Sequence, residues 1–146
     1  MEAIEIVRTK AELPDTSYFE FLPGPYRGQH WAAESVYVQE EIFCLIEPII
    51  RQHHPGYDHY SHSGIPASEW SKIIADLHAL ATRARSATSL ADLRQAGVGF
   101  HRRGIDAEFE QDLGNNAHAL AQLADDLSRW LRETLRSHGM VTVLGM

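Results

Sequence analysis

The chain of 146 residues holds one cysteine, Cys44. No internal disulfide can form, and a zinc site built on several cysteines is excluded. Lysine is almost as scarce, with only Lys10 and Lys72. That leaves no Walker lysine and no lysine cradle for phosphate, and Gly97-x-Gly99 followed by Gly104 does not match the dinucleotide fingerprint. Long apolar runs are missing too. Ile42 to Ile46 and Pro48 to Ile50 are the longest, far too short to span a bilayer, so no membrane partner is expected. The start, Met1-Glu2-Ala3-Ile4-Glu5, is acidic where a secretory signal would be basic. A cytoplasmic location is the expectation that follows.

Positive charge is the other shortage. The formal net charge is −7, and residues 1–60 carry ten acids against four Arg and Lys. An acidic front half argues against nucleic acid as a partner, because phosphate binding needs a basic footprint. It suits a basic protein partner met through long-range steering. Nine histidines temper this. Protonating all of them would bring the formal charge from −7 to +2, so association should respond to pH between about 5 and 7.

Length and composition fit a single globular domain over 1–146, with hydrophobic residues at 44% and charged residues at 23%. Alternation of apolar and polar residues predicts strands near 3–8 and 18–22. Pro23-Gly24-Pro25 should stop the second. A helix is expected over about 32–53, where Val38, Ile42, Leu45, Ile46, Ile49 and Ile50 share one face. Pro48 should kink or end it. Pro66 is expected to open a helix over 66–85, and Ser89 to Asp92 resembles a capping box starting a short helix over 89–96. A long helix over 106–138 follows, with a weak point at Gly114-Asn115-Asn116. The tail 140–144 reads as a strand that must pair, and the N-terminal strands are its natural partners. The expected fold is α+β, mostly helical, with a small sheet uniting the two ends.

The histidine-rich run from His53 to His62 lies between two of these helices. Its first reading is a loop, with Tyr57 and Tyr60 anchoring it while Asp58, His59 and His62 stay free to meet something. Together with the acidic helix residues Glu40 and Glu47, the residues Tyr57, Asp58, His59, Tyr60 and His62 form the candidate binding surface. Glu40 and Glu47 lie about 10.5 Å apart along a helix, too far to share one metal and suited to presenting repeated charge. For zinc or nickel the candidate ligands are His54, Asp58, His59 and His62, though no established ligand spacing is present. Asp58 beside His59 could also move protons, but no nucleophile-elbow pattern surrounds Ser61 or Ser63. No catalytic residue is assigned, and no cofactor is expected.

Trp31, Glu34-Ser35, Phe43, Tyr57-Asp58-His59-Tyr60, Ile65-Pro66 and Glu69-Trp70, with the ending Trp130-Leu131 and Val141 to Gly145, resemble small bacterial proteins. These are similar in character to the immunity proteins that accompany polymorphic and contact-dependent toxins. The resemblance implies a short acidic domain that binds and blocks a toxin, and it carries no functional residue over. Three functions follow as expectations. The first is a non-enzymatic binding protein. The second is a metal-dependent or acid–base enzyme centred on Asp58, His59 and His62. The third is a homodimer or larger oligomer held by the C-terminal helix.

Overall fold

The computed structural model describes all of residues 1–146. Four strands form one antiparallel sheet: β1 (Tyr18–Pro23), β2 (Val36–Gln39), β3 (His62–Pro66) and β4 (Met140–Leu144), in the order β2-β1-β4-β3. The two ends of the chain meet at its centre, where Phe21 of β1 stands opposite Val143 of β4. Five helices accompany the sheet: α1 (Glu40–His53), α2 (Ala67–Ser86), α3 (Leu90–Gln95), α4 (Ile105–Glu110) and α5 (Leu113–Thr134). The α+β expectation therefore holds.

Side chains alternate across a strand, which divides the sheet residues between two faces. Phe19, Phe21, Val36, Val38, Ile65, Val141 and Val143 join the main core with the apolar stripes of α1, α2 and α5. Leu120, Leu123, Leu127 and Leu131 of α5 are buried to within 1% of full burial. The apolar stripe of α5 is thus covered inside one chain. On the other face, Glu20 of β1 is fully buried. It accepts hydrogen bonds from the backbone N–H of Trp31 (2.6 Å) and Ala32 (2.9 Å) and from the Ser35 hydroxyl (2.6 Å). One carboxylate so holds a whole turn of the 24–35 loop over the sheet, with Trp31 at φ 67°.

Several boundaries differ from the sequence expectations. The first predicted strand, 3–8, is reduced to a single bridge between Val7 and Tyr37. The helix expected from residue 32 begins at Glu40. Val36-Tyr37-Val38 pairs with β1 as β2 instead, because alternating β-branched and aromatic residues fit a pleated, half-buried surface. Gln39 then caps α1, its side-chain oxygen accepting from the N–H of Glu41 at 2.7 Å. The supposed loop ends in β3, an edge strand, which is where Gly64 and Pro66 can be tolerated. The 66–85 helix starts one residue later, with Pro66 as its N-cap.

α1 does not end at Pro48 but runs on to His53. The loop after α3 docks on this turn, with Gly99 donating its N–H to the Leu45 carbonyl at 3.0 Å. The predicted long helix splits at Gln111-Asp112 into α4 and α5. The Asn pair expected to weaken it secures the join: Asn116 donates its amide to the Phe109 carbonyl at 3.0 Å, and Asn115 reaches the Asp112 carboxylate at 3.2 Å. The short helix is capped as expected, with Ser89 Oγ accepting from the Asp92 N–H at 3.2 Å.

Candidate functional site

A helix repeats its faces at spacings of three, four and seven, so Glu40, Cys44, Glu47 and Arg51 form one polar stripe along α1. The 57–60 turn lies against this stripe. Tyr57 is buried and donates its hydroxyl to Glu47 Oε2 at 2.6 Å. His59 places Nδ1 at 2.6 Å from the same oxygen and Nε2 at 3.3 Å from Glu40 Oε1. One imidazole therefore spans the two carboxylates that the sequence reading kept apart. Arg51 lies 3.6 Å from Glu47 Oε1 and stands over the Tyr57 ring. The His59 ring meets the edges of Phe19 and Tyr60, at centroid distances of 4.9 and 4.7 Å.

Above this cluster opens a cleft of about 460 Å³. Glu40, Glu41, Cys44 and Glu47 line one side, His59 and Tyr60 another, and His101 and Arg102 come from the loop after α3. Arg102 pairs with Glu41 across it. Tyr60 stands at the rim with 77% of its surface exposed. The tail beyond β4 fixes the turn from behind, with the N–H of Gly145 donating to the Ser61 carbonyl (2.8 Å) and that of Met146 to the His59 carbonyl (3.1 Å).

Burial shapes the chemistry. The Cys44 thiol is pushed up to about 11, first by desolvation and then by the neighbouring Glu47 and Glu40 carboxylates. At neutral pH it keeps its proton and is a poor nucleophile. The Tyr57 phenol is also raised, by burial first and then by its hydrogen bond to Glu47. A cysteine, a histidine and a glutamate meet here, yet the thiol lacks the electropositive setting that activates catalytic cysteines.

The structure brings together Glu40, Glu47, Tyr57, His59 and Tyr60 from the predicted surface, but with altered roles. Glu47 and Tyr57 are buried and satisfied inside the chain, whereas Tyr60, expected as an anchor, is the exposed one. Asp58 is exposed but turned back locally, accepting from the Tyr60 N–H at 2.9 Å. His62 lies apart, stacked on Tyr26 at 4.2 Å.

The metal set His54, Asp58, His59 and His62 does not converge. His54 is held by Glu69 at 3.1 Å and His53 by Asp76 at 2.6 Å, both on α2. These two histidines brace α1 against α2. The side chains that do converge are Cys44, Glu47 and His59, whose ligand atoms lie within 4.8 Å of one another. The i, i+3 spacing of Cys44 and Glu47 was legible in the sequence. The approach of His59 and Arg102 depends on tertiary folding.

No helix is long and apolar enough to cross a membrane. Comparison with known protein families, curated proteins and solved structures finds no match.

Proposed function

We propose that this protein is a non-enzymatic protein-binding module, of the toxin-neutralising immunity type, whose cleft beside α1 receives a basic partner. The observation that carries the reading is Tyr60, 77% exposed at the rim of a cleft lined by Glu40, Glu41 and Glu47. A large exposed tyrosine is the kind of side chain enriched at interfaces, giving contact area at small entropic cost. Arg102 is paired with Glu41 and Arg51 with Glu47, so Glu40, whose one side-chain partner is His59 at 3.3 Å, is the carboxylate left open to an incoming Lys or Arg. The protonated Cys44 thiol, and His59 held between two carboxylates, favour binding over covalent catalysis.

The contact set narrows accordingly to Glu40, Asp58 and Tyr60 at the surface, with Glu47, Tyr57 and His59 as the scaffold that presents them. Replacing Glu40, Asp58 and Tyr60 together by Gln, Asn and Ala should abolish retention of a basic protein from native lysate. Unchanged retention would refute the assignment of this surface. Co-expression with a toxin encoded beside this gene tests the immunity role: protection by the wild type, lost in the triple variant, is the expected outcome.

A further inference from the structure

We propose that Cys44, Glu47 and His59 form a mononuclear zinc site at the floor of the cleft. The inference stands apart from the protein-binding reading and does not rest on it.

The donor set comes first. A thiolate, an imidazole and a carboxylate from three side chains match the ligand types that zinc accepts. Their ligand atoms already lie within 4.8 Å of one another. Tetrahedral coordination with ordinary zinc bond lengths needs separations of about 3.3–3.8 Å. The wider pairs must close by about an ångström, while Nδ1 and Glu47 Oε2, now 2.6 Å apart, must part to admit the ion. Cys44 and Glu47 come from one face of α1 and His59 from the turn across it, so the metal would clamp the turn onto the helix.

The surroundings supply a second argument. Histidines that bind metal almost always give their other ring N–H to a carboxylate or carbonyl, which fixes the tautomer. With Nδ1 facing Glu47 Oε2 at 2.6 Å, Nε2 faces Glu40 Oε1 at 3.3 Å. Glu47 is steadied in turn by the Tyr57 hydroxyl at 2.6 Å. Both an inner ligand group and its outer supports are therefore present. As the metal enters, the Sγ–metal bond forms and the thiol proton leaves to solvent. The proton shared between Nδ1 and Glu47 Oε2 must leave that contact as well, either to solvent or to Nε2, so that Nδ1 offers its lone pair while an Nε2–H faces Glu40. The fourth position opens on the cleft and is filled by water or by a donor from a bound molecule.

Cobalt(II) is the probe, because a thiolate ligand to cobalt gives a near-ultraviolet charge-transfer absorption. The full chain should bind one equivalent with that absorption, and zinc should displace it. Cys44→Ser should lose the charge-transfer signal, and His59→Gln should lose saturable binding. Glu40→Gln, which removes only an outer support, should weaken affinity by roughly ten- to a hundred-fold. His54→Gln and His62→Gln should leave it unchanged. If no charge-transfer signal develops at saturating cobalt, or if Cys44→Ser binds with the wild-type affinity and spectrum, the site does not exist. Should His59→Gln fail to fold, the spectrum of Cys44→Ser decides alone.

Discussion

Tyr57 and Glu47, ten residues apart, are joined by a hydrogen bond of 2.6 Å from the phenol to Oε2. The same oxygen faces His59 Nδ1, so this bond holds the whole turn against α1. Tyr57→Phe removes the donor and leaves a buried carboxylate oxygen with one partner fewer. A loss of about 1–3 kcal/mol is expected. Denaturant unfolding would measure it, and an unchanged midpoint would show that the bond carries no net stability.

Glu20 is the next test, because three donors depend on its one carboxylate. Glu20→Ala leaves the N–H groups of Trp31 and Ala32 and the Ser35 hydroxyl without their acceptor. Ser35 is buried and Trp31 and Ala32 are half-buried, so the cost should be about 2–3 kcal/mol, given about 1–3 kcal/mol for a fully buried donor left unsatisfied. Hydrogen exchange should quicken first at Trp31 and Ala32. Equal protection of those amides in the variant would contradict the assigned role.

Gly99 makes a prediction about Pro48. A Cβ at Gly99 would lie 2.7 Å from Pro48 Cγ and 3.1 Å from the Cys44 carbonyl oxygen. Gly99→Ala must therefore push the loop off α1 and break the bond to the Leu45 carbonyl. Overpacking of this kind costs about 1–3 kcal/mol. The change should also loosen Arg102 from Glu41, three residues along. Thermal unfolding of Gly99→Ala beside Gly104→Ala separates this clash from the cost of replacing a glycine in open space, since a Cβ at Gly104, at φ 84°, meets nothing within 4 Å. A midpoint for Gly99→Ala no lower than that of Gly104→Ala would show that the clash costs nothing.

Alkaline pH tests the packing of Tyr37. Its phenol is raised to about 12, by burial first and by Glu20 second. The folded chain keeps this proton where the unfolded chain, near 10, has lost it. By linkage its contribution is complete below about pH 10 and is lost as pH rises from about 10 to 12. Unfolding free energies measured across that window should fall less steeply for Tyr37→Phe than for the wild type. Parallel curves would show that Tyr37 ionises freely.

The helical half of this fold was legible because amphipathic periodicity survives in α2 and α5, whose inward faces are regular. The strands at 18–22 and 140–144 were legible for the matching reason, with alternation ending at a turn signal. β2 was hidden because Val38 and Ile42 also fit a helical stripe, and only pairing with β1 decides between the two. β3 was hidden because Gly64 and Pro66 have poor strand propensity, offset at a sheet edge by its pairing with β4. The candidate site was half legible. Its residues stood out as histidine, tyrosine and acid near one another, but which of them are spent inside the chain depends on geometry. Tyr57 and Tyr60 look alike in sequence, and one is buried while the other is exposed.

The central claim is that Tyr60 and the acidic cleft meet a basic protein. A photo-crosslinking amino acid placed at Tyr60, and as a control at Gln122 on α5, tests this in native lysate. One dominant basic polypeptide should be captured from Tyr60 alone. Its yield should fall on replacing Glu40 by Gln and on raising the salt, since interactions of exposed charges are screened beyond about 8–10 Å at physiological strength. Capture of the same proteins from both positions, or of none from Tyr60, would contradict the account.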